Sequence, residues 1–369
     1  MPNQYPTLRV NEIVASLSNQ VISNQTFADN ITHTYAGLID MNRVDGTLFG
    51  DVFNVISTDV LKSVEWGNDA EAENLLKLAR AQDPEVQSIY LDKFRQIALT
   101  LDQYLSKRAW GVEGAFAEFQ NVLQTWEGDT KKIHETSLFN AFVGTDETNI
   151  GKQTQTLTLD AGTTEEGRRL RASQISEALA DIYDDVADYS REYNDNGNLR
   201  AFGPENLLIV WNNKYLNQIQ KRDLPTVFND EALKANIQGY KLPARYFGTI
   251  LTTGSTAGAS NTTIRSLVEK DYNPENTAMN TAAYDETLHI FPGDLIPSGK
   301  QYKANEAYTE NPKVICKIMY RRSVPFMTSM TVATDFFNPK SLTDTIYLTF
   351  GYNTLQHLKN YPMITIKEA

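Results

Sequence analysis

Cysteine, basic charge and long apolar runs are all scarce in this sequence. Cys316 is the single cysteine among 369 residues, so no disulfide can form within the chain, although a bridge between chains stays open. This usage favours a reducing compartment. No apolar run reaches membrane-spanning length, and residues 1–20 lack a basic start followed by an apolar stretch. We therefore expect a soluble protein without a Sec-type signal.

Basic residues are outnumbered by acidic ones. The chain has 34 Lys and Arg against 46 Asp and Glu, which gives a net charge of −12. Its basic runs, at 168–171 and 317–322, are short. Because affinity for duplex DNA comes largely from neutralised phosphates, tight DNA binding is not expected. An acidic protein can still enclose nucleic acid without gripping it.

One motif resembles a phosphate-binding loop. Gly162–Arg168 reads G-T-T-E-E-G-R and lies between a predicted strand and a predicted helix. Arg168 stands where such a loop has lysine, and Arg169 stands where a magnesium-binding Ser or Thr is needed. Glu165 and Glu166 would also face the anion. The competing interpretation is an ordinary helix N-terminus with acidic residues in its first turn.

The remaining candidates for chemistry are weak. No His-Glu-x-x-His pair occurs among the four histidines, which are His33, His134, His289 and His357. Gly254–Gly258 lacks the strand and helix that flank a nucleophile elbow. Cys316 fits a buried strand position, and a solvated helix face explains Asp184, Asp185 and Asp188. We expect no catalytic, cofactor-binding or metal-ligating residue.

Apolar periodicity predicts two long helices. The first is a spine helix over 105–126, with apolar residues at steps of four and three. That stripe comprises Leu105, Ala109, Val112, Phe116, Phe119, Leu123 and Trp126. Gly128 is expected to end the helix, ahead of a short apolar patch at 138–143. The second helix is predicted over Arg168–Tyr193 and ends at the turn 194–197.

The extended segments fall into three groups. Runs at 46–60 and 89–101 bracket a charged segment, which predicts a long two-stranded loop. Leu207–Trp211 predicts a strand covered on both faces, followed by a short helix over 213–221. Residues 314–366 contain four further strand-like runs, which we expect to form a sheet against the spine helix. Residues 1–45 read as an extended arm, and 252–263 as a mobile loop.

This order of elements resembles the major capsid protein of tailed bacteriophages, the Hong Kong 97 type of coat fold. The resemblance lies in Phe94–Gly144, where a strand enters the spine helix, in the strand segment Phe202–Asn212, and in the β-rich ending Val314–Ile366. It implies an α+β fold with an N-terminal arm (1–45) and an extended β-hairpin loop (46–93). It further implies a peripheral domain (94–163 and 311–369) and an axial domain (164–310).

The resemblance also implies a function without catalysis or cofactors. Many copies would assemble as hexamers and pentamers into an icosahedral shell that encloses double-stranded DNA without specific binding. Scaffolding, portal and head-decoration proteins are candidate partners, no membrane is involved, and the location is the virion after assembly in the host cytoplasm. Two alternatives stay open: an encapsulin-like compartment shell, and a nucleotide-dependent enzyme that uses the loop 162–169.

Overall fold

The computed structural model describes eleven stretches of the chain. They are residues 32–47, 50–61, 81–102, 113–144, 153–220, 239–250, 263–265, 294–295, 308–310, 313–329 and 331–369. The segments 1–31 and 252–262, which hold most of the predicted arm and mobile loop, lie outside them. Within these stretches, no helix is long and apolar enough to cross a membrane.

Helices and strands alternate along the described chain. The helices are α1 (Gly37–Asn42), α2 (Glu113–Gly144), α3 (Glu165–Ala187) and α4 (Asn213–Gln220). The first eight strands are β1 (Arg43–Thr47), β2 (Val52–Ser57), β3 (Glu85–Tyr90), β4 (Lys93–Asp102), β5 (Thr154–Leu157), β6 (Leu207–Asn212), β7 (Tyr240–Leu242) and β8 (Gly248–Ile250). The later strands are β9 (Thr263–Arg265), β10 (Asp294–Leu295), β11 (Tyr308–Glu310), β12 (Val314–Tyr320), β13 (Phe326–Ser329), β14 (Val332–Asn338), β15 (Thr343–Tyr352) and β16 (Met363–Glu368).

The first five-stranded sheet, in the order β5-β16-β12-β6-β7, is covered on both faces. All six residues of β6 are buried, as its continuous apolar run predicts. Its alternate side chains serve two cores. Leu207, Ile209 and Trp211 pack with the apolar stripe of α3. Leu208 and Val210 face a second cluster that contains the end of α2.

The second five-stranded sheet is built around β15. Strand β4 pairs with β15 along ten residues, β14 and β13 pair along its opposite edge, and β1 runs parallel to β13. The four late strand runs were expected to form one sheet against the spine helix. That prediction is right for β13 and β15, whose Phe326 and Phe350 share a core with Phe139 of α2. Strands β12 and β16 instead join β6 in the first sheet.

The spine helix is longer than predicted at its C-terminal end. Gly128 does not end α2, which continues to Gly144. An interior glycine costs only about 1 kcal/mol, and burial of Phe139 and Val143 in the last turns outweighs it. The predicted apolar patch 138–143 is therefore the buried end of this helix. Trp126 is 49% exposed, so the predicted stripe is not covered at that position, and 105–112 lie outside the described residues.

The second long helix is shorter than predicted. Helix α3 ends at Ala187, and Asp188 adopts an extended conformation. The Asp188 carboxylate accepts a hydrogen bond from the backbone N–H of Tyr189 at 2.7 Å, a local bond that competes with helix continuation. Tyr189 is consequently 77% exposed, whereas Tyr193 is buried beyond the helix end. The predicted short helix after β6 is confirmed as α4.

The predicted extended arm is wrong for residues 32–45. These residues form α1 and the start of β1, and they pack on the chain's own body. Leu38 and Ile39 are buried in the cluster that holds Phe139. The short apolar sequence of α1 was hard to recognise, because a six-residue helix shows less than two turns of periodicity. Any free arm is therefore confined to the residues before 32.

Candidate assembly surfaces

The two strands β2 and β3 form the predicted hairpin, and one face of its base packs on the body. Phe53 pairs across the strands with Ile89. Ile89 is fully buried in a small cluster with Met327 and Leu358. The sequence alone shows no surface of the body on which this hairpin could pack. The described base, 50–61 and 81–91, has an apolar inner face that anchors it to the body.

Polar contacts fix the same base to the loop that follows α3. The carboxylate of Asp59 accepts hydrogen bonds from the backbone N–H of Leu199 at 3.0 Å and from the Arg191 guanidinium at 2.6 Å. These contacts, with the Leu199 N–H the larger cause, lower the pKa of Asp59 from 3.8 to about 2. On the other strand, Gln87 donates to the carbonyl of His357 at 2.8 Å. The hairpin therefore leaves the body at a fixed position.

The opposite face of the hairpin is exposed and carries no charge. We call it the neutral hairpin face, and it consists of Val52, Asn54, Ile56, Val86, Ser88 and Tyr90. Ile56 is 67% exposed and pairs across the strands with Val86, which is 59% exposed. Exposed apolar pairs on a flat ribbon are typical of a surface that another protein covers.

A second surface with little charge lies on the three strands β4, β15 and β14. This neutral sheet face consists of Phe94, Gln96, Ala98, Thr100, Val332, Thr334, Phe336, Asn338, Thr343, Thr345, Tyr347, Thr349 and Gly351. Its one charged neighbour in that register is Asp102, at the end of β4. Phe336 is 62% exposed, and Phe94 is 50% exposed. The hydroxyl groups of Thr100 and Thr345 form a hydrogen bond at 3.1 Å, which satisfies part of the polar groups of this face. In a chain with 22% charged residues, this face is a distinct patch.

The N-terminal segment is joined to α2 by ionic and polar contacts. The imidazole of His33 lies 3.1 Å from the Asp129 carboxylate, and Arg43 binds the buried carboxylate of Glu135 at 3.1 Å. The Arg43 guanidinium also lies over the ring of Phe326. These contacts hold His33 and Arg43 beside the spine helix.

The candidate phosphate loop is confirmed as a helix N-terminus. Thr164 caps α3, and its hydroxyl oxygen accepts the N–H of Gly167 at 3.1 Å. The N–H of Gly162 donates to the Asp160 carboxylate at 2.8 Å. A Cβ at Gly167 would lie 2.3 Å from that carboxylate, so the Asp160 side chain packs against this glycine. These contacts give no support to the nucleotide-dependent alternative.

The other candidates fall in unrelated places. His33 contacts Asp129, His357 contacts Asp195 at 2.8 Å, and His134 is buried in the second core. Burial raises the pKa of the Cys316 thiol, as expected for an inert strand residue. The predicted solvated face of α3 is confirmed, because Asp184, Asp185 and Asp188 are exposed. His289 and 254–258 lie outside the described residues, among which no three metal-ligating side chains cluster.

Solved structures of phage capsids are similar to this chain along nearly its whole length. A chain of the Staphylococcus phage Andhra capsid has 12% sequence identity, covers 94% of this chain and 87% of its own, and superposes with a TM-score of 0.63. A chain in the structure of the head fiber and inner core protein gp22 of native bacteriophage P68 gives the same four values. The mature capsid of bacteriophage PhiM1 follows with 8% identity, coverages of 95% and 91%, and a TM-score of 0.50.

No family model and no curated protein matches the sequence. The similarity is therefore one of structure, and it shows the fold. The chain has an α+β fold of the class found in tailed-phage capsid proteins, the Hong Kong 97 type.

Proposed function

We propose that this chain is the major capsid protein of a tailed phage and has no catalytic role. Many copies assemble into hexamers and pentamers of an icosahedral shell around double-stranded DNA. The observation that carries the proposal is the structural match to phage capsid chains over 94% of the sequence. The net charge of −12 supports it, because an acidic wall repels the enclosed DNA instead of gripping it.

The neutral faces supply a physical route to assembly. A hairpin fixed to the body on one side and uncharged on the other can lie on a neighbouring copy without desolvating charges. We propose that the neutral hairpin face of one copy packs on the neutral sheet face of the next. Such a contact joins one patch to a different patch, which is the arrangement that closes rings.

We propose the following domains for the shell subunit. Residues 94–163 and 311–369 make up the peripheral domain, 164–310 the axial domain, and 46–93 the extended loop. The first sheet joins β12 and β16 to β6, so backbone hydrogen bonds connect the two domains. The arm is the part of 1–45 that precedes residue 32.

Scaffolding, portal and head-decoration proteins would be the partners of the whole subunit during assembly in the host cytoplasm. The virion would be the final location of the subunit.

Electron microscopy of the purified full-length protein tests the proposal. We expect symmetric shells or capsomers, and a monodisperse monomer at high concentration would contradict the function. Ile56→Asp should leave the fold intact and prevent particles, because it places a charge in the neutral hairpin face. Tyr189→Asp, which alters an equally exposed residue outside both faces, is the matched control. DNA inside native particles supports a phage head, whereas protein cargo would favour the encapsulin-like alternative.

A further inference from the structure

A cleft of about 520 Å³ opens between the start of α3, α4 and the end of β16. Its charged lining comprises Arg168 and Arg171 from α3, Lys214 from α4 and Glu368 from β16. We call these residues, with Tyr215, the basic cleft. Arg171 binds the Glu368 carboxylate at 2.5 Å, and the Tyr215 hydroxyl donates to the same carboxylate at 2.8 Å.

The basic cleft has an excess of positive charge. Three cations and one carboxylate line the cleft, and Glu165, whose carboxylate lies 3.6 Å from the Arg168 guanidinium, stands beside it, so the local net charge is +1 in a chain whose total is −12. Burial opposes ionisation of Glu368, but the hydrogen bonds from Arg171 and Tyr215 outweigh it, so its pKa lies below the usual value of a glutamate. Arg171 binds the Glu368 carboxylate, Arg168 lies beside Glu165, and Lys214 stands at the rim of the cleft.

The same helix carries the opposite charge further along. Exposed acidic residues recur on its solvent side at steps that keep them on one face, namely Glu177, Asp181, Asp184 and Asp185. We call them the acidic stripe. It lies opposite the buried stripe of Ile175, Leu179 and Ile182, whereas the basic cleft opens on a flank of the helix. Among the described residues, no cation forms an ion pair with Asp181 or Asp184.

This charge distribution is unfavourable within one copy. A helix dipole favours acidic residues near the N-terminus and basic residues near the C-terminus. In α3 only Glu165 and Glu166 obey that rule, because Arg168 and Arg171 follow immediately and the last turn contains no basic residue. The acidic stripe also places like charges at i, i+4 spacing, which repel. A contact with another molecule would supply the compensation that the isolated helix lacks.

We propose that the basic cleft of one copy binds the acidic stripe of the next copy, head to tail around each capsomer. The inference rests on the proposed shell function and adds one specific contact to it. The occupant is a second copy, because its acidic stripe is opposite in charge to the basic cleft. Since cleft and stripe lie on different sides of α3, the contact is heterologous and repeats around a ring.

Charge reversal on either side tests the contact. One variant combines Glu177→Lys, Asp181→Lys and Asp184→Lys, which turns the charge of the acidic stripe from −4 to +2, and the other combines Arg168→Glu with Lys214→Glu in the basic cleft. Each alone should lose capsomers at concentrations where the unmodified chain forms them, because like charges then meet at every interface. A mixture of the two variants should regain hexamers without pentamers, since strict alternation closes only even-numbered rings. A chain with all five changes should regain both.

Controls separate this contact from folding and from the shell function. Arg169→Glu reverses a charge next to the cleft without lining it and should assemble normally. The stripe variant should melt at or above the midpoint of the unmodified chain, because lysine near the helix C-terminus suits the dipole. Variants that assemble like the unmodified chain, or a mixture that regains nothing, overturn the contact alone. Failure of the unmodified chain to assemble overturns the shell function and the contact with it.

Discussion

The two five-stranded sheets differ in what covers them. In the first, β6 is buried at every position and is flanked by α3 on one face and by the end of α2 on the other. In the second, all seven residues of β14 are exposed. The first sheet is completed by the chain itself. The second, like the base of the hairpin, leaves a face with little charge exposed among the described residues.

The largest difference between the two sheets is expected when a charged residue is placed in each of them. Val210→Asp places a carboxylate at a fully buried position of β6 and should cost more than about 4 kcal/mol, so soluble protein is lost. Thr334→Asp, in exposed β14, should change unfolding by less than about 0.5 kcal/mol while impairing particles. Soluble yield and circular dichroism measure the first effect, and electron microscopy the second. A soluble, folded Val210→Asp protein would contradict the buried assignment.

Two glycines of helix α2 show the same contrast between a covered and an open position, with smaller expected changes in stability. A Cβ at Gly144 would lie 1.9 Å from the carbonyl oxygen of Tyr246, whereas nothing lies within 4 Å of one at Gly128. Gly144→Ala should therefore destabilise by about 1–3 kcal/mol. Gly128→Ala should stabilise by about 1 kcal/mol, because alanine is the better helix former. Urea unfolding of both variants measures the two changes in the free energy of unfolding. Equal changes would contradict the close packing at the end of the helix.

The smallest effect is expected at the base of the hairpin. Because its pKa is lowered to about 2, Asp59 stabilises the fold above the pKa of the unfolded chain, and this contribution is lost as pH falls through about 2. Asp59→Asn should weaken amide-exchange protection in β2 near neutral pH, and the difference from the unmodified chain should shrink between about pH 4 and pH 2. Asp83→Asn, an exposed carboxyl in the same hairpin, should show no such dependence.

Sequence periodicity predicted the elements whose burial pattern is simple. The run Leu207–Trp211 gave β6 because a strand covered on both faces needs apolar residues throughout. The spacing of Ile175, Leu179, Ile182 and Val186 identified α3, and all four are buried. Helix ends were less accurate, because local contacts such as the hydrogen bond between Asp188 and Tyr189 decide them.

The candidate surfaces were not predicted from the sequence, because what marks them is a lack of charged residues. In β4 the charges of Lys93 and Arg95 fall on one face, and the other carries the uncharged residues Phe94, Gln96, Ala98 and Thr100, with Asp102 at the strand end. This alternation is visible in the sequence, but only the pairing register shows that β14 and β15 continue it. The basic cleft likewise depends on tertiary contacts that bring Lys214 and Glu368 beside α3.

Because β6 contributes side chains to both cores, the two cores should unfold together. Odd-numbered side chains from Leu207 to Trp211 serve one cluster, and even-numbered ones serve the other, within a single six-residue strand. Neither cluster can melt without pulling that strand away from its counterpart. Heating should thus produce one cooperative transition across both cores, and a subunit pushed or twisted by its neighbours would respond as a rigid block.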